Sequence, residues 1–153
     1  MATRATEPSS RPYDGDTYGW ALAQAALLRA RRFGELDCEN LADEIESVGK
    51  SEYRELESAL RVLLLHLLKW HFQPEKRGDS WRASIKIQRR HAARAVRDNP
   101  SLTPRWREAV DEAYADARDE AIAETGLDEA RLPAANPFSD AQIMDAPLDE
   151  AAG

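Results

Sequence analysis

Apolar residues recur at intervals of three and four along most of the chain, the period of helices that bury one face. The first such stretch predicts a helix over residues 16–32. Tyr18, Ala21, Ala25 and Leu28 share one face of it, with Trp20 and Leu27 on the flank. Asp14 or Asp16 can cap its start, and Gly34 stands where a left-handed residue would close its end. A short second helix is expected over 37–48, with Asp37 as its cap and Gly49 as its stop. Leu41, Ile45 and Val48 repeat along it at four and three. A third helix is expected over 51–72. Tyr53, Leu56, Leu60, Leu63, Leu67 and Trp70 form its stripe, while Val62, Leu64, Leu65 and Leu68 carry apolar character round the cylinder. A helix apolar on most sides belongs at the centre of a fold. Pro74 prevents its continuation.

Ser80 is the expected cap of a fourth helix over 80–98, whose inner face is Trp81, Ile85, Gln88, Ala92 and Val96. Asn99-Pro100 ends it. Thr103-Pro104 then offers a cap followed by proline at the first helical position, opening a fifth helix that reaches Thr125 and stops at Gly126. Its inner face, Trp106, Val110, Ala113, Ala117 and Ala121, is small enough for a partner helix to approach closely. Ser139 can cap one more short helix, over 139–144. No segment sustains strand alternation. The expected fold is therefore all-α, a compact antiparallel helical bundle of about five main helices with a short C-terminal helix. It is expected to occupy 13–145, after a disordered polar arm at 1–12 and before a flexible acidic tail at 146–153.

The 153 residues suit a single core, with 42% hydrophobic and 32% charged positions. The formal charge of −7 opposes non-specific binding of nucleic acid by the whole molecule. Charge is nevertheless segregated. Residues 73–102 hold eight Lys/Arg against three Asp/Glu, whereas 103–153 hold four against thirteen. The basic fourth helix and the acidic fifth are expected to lie side by side and neutralise each other. The single cysteine, Cys38, allows no internal disulfide and fits a reducing, cytoplasmic setting. Residues 1–12 have no apolar stretch of the kind a signal peptide needs. The longest apolar run, 62–68, is broken by His66 and is too short to cross a bilayer, so no membrane partner is expected.

Several segments together resemble one known family. They are Tyr13-Asp14-Gly15-Asp16 with Trp20, the run from Leu41 to Gly49 (LADEIESVG), Leu65-His66-Leu67-Leu68-Lys69-Trp70, Gln73-Pro74-Glu75, and Ser80-Trp81-Arg82-Ala83-Ser84-Ile85. In this order they are similar to the bacterial family known as domain of unknown function 29, over about residues 13–145. The resemblance implies an all-α fold and brings no established activity, cofactor or catalytic residue. The chain departs from the family's pattern at Gly19, at Cys38, and at Asn136, where many members have cysteine. Cys38 is accordingly a poor candidate for a shared nucleophile.

Familiar chemical motifs fail on inspection. Asp14 and Asp16 before Gly19 imitate a calcium loop, but its fifth and twelfth positions are Tyr18 and Ala25. Gly49-Lys50-Ser51 imitates a phosphate loop, but Glu44 occupies the place of its first glycine and no strand precedes it. The Glu-x-x-His pair of di-metal bundles is missing, because Leu63, Leu68 and Gln88 stand three residues before His66, His71 and His91. No metal and no cofactor are expected. What remains is a candidate polar junction of Glu44, Glu46, His66 and Arg82. There a half-buried carboxylate and imidazole would tie helices together or, as an alternative, bind a metal or exchange protons as an enzyme does. Arg82, Lys86, Arg89, Arg90 and Arg97 form a candidate basic surface on the fourth helix. It is expected to pair with the carboxylates of the second and fifth helices, with nucleic-acid binding as the alternative. With no complete catalytic set, the expected role is a protein-interaction module that binds another protein or a second copy of itself.

Overall fold

Five α-helices make up residues 13–148, the span that the computed structural model describes: α1 (Thr17–Arg29), α2 (Cys38–Phe72), α3 (Asp79–Asp98), α4 (Trp106–Thr125) and the short α5 (Asp140–Met144). Short 3₁₀ segments join them, and no strand occurs among the described residues. The fold is the expected all-α helical bundle. The arm expected at 1–12 and the part of the tail at 149–153 lie outside the described residues. Leu148 packs against the core. The chain divides into two compact units, Met1–Gly49 and Lys50–Gly153.

The first unit holds α1 and the opening turns of α2. Asp16 caps α1 by accepting the Gly19 amide at 2.9 Å. The helix ends earlier than expected, and the left-handed residue is Arg31 at φ 57°, not Gly34. The amides of Arg32 and Arg31 close on the carbonyls of Leu27 and Leu28, each at 3.0 Å, which satisfies the last turn. Asp37 caps α2 through the Asn40 amide at 3.4 Å. The inner face of α1 differs from the expected one: Trp20 and Gln24 are buried, while Tyr18 and Leu28 are exposed. Trp20 donates to Asp37 at 3.0 Å, and the Asp37 amide donates to Gln24 at 2.8 Å. Those two bonds anchor the Trp20 face onto the start of α2.

The helices expected at 37–48 and 51–72 are one continuous helix, α2, that runs through Gly49. A glycine inside a helix costs only about 1 kcal/mol relative to alanine, which the stripe of leucines beyond it easily outweighs. Gly49 has no positive φ, and a Cβ built on it would meet nothing within 4 Å. Gly49→Ala is therefore expected to raise the stability of the chain, by about 0.5–1 kcal/mol in a denaturant titration. A loss of stability would mean that residue 49 is a turn after all.

The second unit is built on the rest of α2. Leu56, Leu60, Leu63, Leu67 and Trp70 are all buried, as their spacing predicts. Ile85 and Ala92 of α3, and Ala109, Val110, Ala113, Tyr114, Ala117 and Ala121 of α4, close the same core. Asn99 donates to Glu52 at 3.1 Å and the Arg82 guanidinium lies 5.1 Å from the Trp70 ring, so α3 runs antiparallel to α2. Tyr53 donates to Glu112 at 2.8 Å and Arg61 pairs with Glu120, so α4 runs parallel to α2. Two starts differ from expectation. Ser80 lies inside the first turn of α3, whose N-cap is Gly78, and Thr103-Pro104 lies in a 3₁₀ segment before α4. Gly126 closes α4 at φ 67°, and Ser139 forms a full capping box with Gln142 at the start of α5, both as expected.

Candidate functional site

Three residues of the expected polar junction, Glu44, His66 and Arg82, have partners within their own units. Glu44, half-buried, accepts a hydrogen bond from the Tyr13 hydroxyl. That bond is the main reason the Tyr13 hydroxyl is held above the usual phenol range. The Tyr13 ring meets Trp20 edge-on at 5.0 Å, so Glu44 is tied to the small cluster that anchors α1. Glu46 is exposed. His66 Nδ1 lies 2.8 Å from the Val62 carbonyl. A carbonyl only accepts, so Nδ1 donates to it. Arg82 lies over Trp70, which Arg77 also covers at 5.3 Å while donating to the Trp70 carbonyl at 2.7 Å. The hydrogen bond expected between Glu44 and His66 is thus replaced by Tyr13–Glu44 and by a bond within α2. Among the described residues no group of three or more His, Cys, Asp or Glu side chains is placed to hold a metal ion.

The expected neutralisation of basic α3 by acidic α4 is also corrected. Three carboxylates of α4 meet α2, where Arg61 pairs with Glu120, Lys69 with Glu124, and Tyr53 donates to Glu112, while Glu108 pairs with Arg105. Of the five cations of the candidate basic surface, Arg97 pairs within its own helix, with Asp98 at 3.2 Å. Arg89 reaches across to α5 and donates to the carbonyls of Ile143 and Gln142 at 2.8 and 2.9 Å. It thereby ties down the C-terminal end of that helix, whose last carbonyls favour a cation. Burial pulls the Arg89 guanidinium below its usual pKa, opposed by the charge of Asp145. Lys86 and Arg90 are exposed and in no ion pair among the described residues. With Arg82, Arg89, Ile85, Pro147 and Leu148 they line a groove of about 620 Å³, and none of its described lining residues is a carboxylate. Such a groove attracts anions.

The sequence pattern missed a different surface. Among the described residues, six of the seven exposed large apolar side chains belong to the first unit: Tyr18, Leu22, Leu28, Phe33, Ile45 and Val48, against Ile87 in the second. Tyr18 is 78% exposed, Ile45 69% and Val48 65%. At 100° per residue, Tyr18, Ala21, Leu22, Ala25 and Leu28 cover one arc of α1, and Trp20, Gln24 and Leu27 cover a second arc beside it. The helix is apolar on both arcs, and one of them is open. The signal was present in the sequence, since two apolar arcs on a short helix ask for two neighbours.

The family model described as "Domain of unknown function DUF29" matches residues 12–148. No curated protein and no solved structure matches the chain.

Proposed function

We propose that this chain, which belongs to the DUF29 family, is a protein-interaction module that docks through the open face of its first unit. The observation that supports this reading is the gathering of Tyr18, Leu22, Leu28, Phe33, Ile45 and Val48 in one small unit, all exposed. Single exposed apolar side chains are ordinary, but six in one small unit, three of them on one arc of α1, cost solubility unless something covers them. The test is a photoreactive phenylalanine analogue placed at position 22, with a control at position 131. Discrete covalent adducts are expected in the native cell from position 22 and not from position 131. Equal, diffuse labelling at both sites would remove the reading.

A second reading rests on a separate observation, the groove of α3 whose Lys86 and Arg90 lack carboxylate partners among the described residues. Its ligand would be a polyanion such as nucleic acid. Titration with duplex DNA at rising salt tests it. Binding that weakens steeply with salt, and vanishes in Lys86→Glu/Arg90→Glu, is the expected result for this reading. A flat titration at low salt would discard it.

A further inference from the structure

Resting on the reading of the first unit as a docking surface, we infer that its occupant is the same unit of a second copy of this chain. Two hairpins, each made of α1 and the opening turns of α2, pack into a four-helix core.

The first argument is size. Residues 13–49 form two short helical stretches whose buried side chains, among those described, are Trp20 and Gln24. The unit spans Met1–Gly49, small for an independent core, and small units commonly gain stability from a disulfide, a metal or self-association. The lone cysteine excludes an internal disulfide. No metal cluster exists among the described residues. Pairing with an equal hairpin supplies the missing layer, and a two-fold interface needs a surface that complements itself.

The second argument is charge. The C-terminal end of α1 carries Arg29 and Arg31, while the start of α2 carries Glu39 and Asp43. All four are exposed, and none is in an ion pair among the described residues. When two hairpins pack with their turns at the same end, the basic end of each α1 faces the acidic start of the partner's α2. Ala21 and Ala25, between Tyr18 and Leu28 on the open arc, let the helices approach closely.

Sedimentation equilibrium of the purified full-length chain tests this. A reversible dimer is expected. Arg29→Glu/Arg31→Glu and Glu39→Arg/Asp43→Arg are surface changes whose folding is checked by circular dichroism. Each is expected to weaken the dimer by about tenfold or more. An equimolar mixture of the two is expected to recover it, because in the mixed dimer every facing pair of ends is opposite in charge. A chain that stays monomeric at high concentration would overturn the inference, as would a dimer indifferent to both variants. The photoreactive probe at position 22 separates the two levels. Adducts of doubled chain mass from the purified protein support the second copy. Adducts that form only in cells and with a different protein overturn the second copy and leave the docking surface standing. No adduct in either setting overturns both.

Discussion

Leu63→Ala is expected to lower the stability of the second unit by about 2–5 kcal/mol, the range for removing most of a leucine side chain from a closed core. Leu63 is 0% exposed and sits midway along the buried stripe of α2, with Leu56 and Leu60 on one side and Leu67 and Trp70 on the other. Its neighbours in that cluster come from α2, α3 and α4, so the cavity would open where several helices meet and could not close by the shift of one. A chemical denaturation midpoint that falls sharply with an unchanged slope is the expected outcome. A midpoint equal to that of the parent chain would reject the central place of α2.

Ala117→Leu tests the same core from the opposite side. Ala109, Ala113 and Ala117 are 0% exposed and Ala121 is 1% exposed, a line of small side chains along α4. The polar pairs Tyr53–Glu112, Arg61–Glu120 and Lys69–Glu124 join α2 and α4 along that length. Those pairs are exposed or half-buried, so each adds little by itself. They show how near the two helices run. A leucine at position 117 has no room in that contact and must push the helices apart. The expected cost is about 1–3 kcal/mol, read as a lower thermal midpoint. The same substitution at the exposed Ala115 is expected to leave the midpoint nearly unchanged. Equal tolerance at both positions would contradict the close approach of α4.

The second unit was largely legible because its apolar period continues without a gap from Leu56 to Trp70, and a sustained stripe has one sensible orientation. Caps were legible where a side chain or a glycine does the capping, as at Asp16, Ser139 and Gly126. They were not where the backbone does it: Arg31 takes the left-handed position, at a cost of about 1–2 kcal/mol, because the chain turns there. Gly49 was taken for a stop although a helix tolerates it. On α1 the periodicity identified an apolar arc but could not say which of two arcs packs inward; the hydrogen bonds of Trp20 and Gln24 to Asp37 decide that. Charge pairing was misread for a similar reason. Chain order puts α3 next to α4, whereas Arg61 and Lys69 of α2 are the side chains that reach Glu120 and Glu124 of α4. Glu44 is half-buried, and its partner, Tyr13, lies 31 residues away, where no local pattern announces it.

The docking role of the first unit is tested most directly by hydroxyl-radical footprinting of the chain in its native cell and as a dilute purified protein. Tyr18 and Leu22 report on the open face of α1, and Ile87, 46% exposed on α3, is the internal reference. The account predicts that oxidation of Tyr18 and Leu22 is several-fold slower in the cell than in dilute solution while Ile87 is unchanged. Equal oxidation of Tyr18 and Leu22 in the two settings would contradict it.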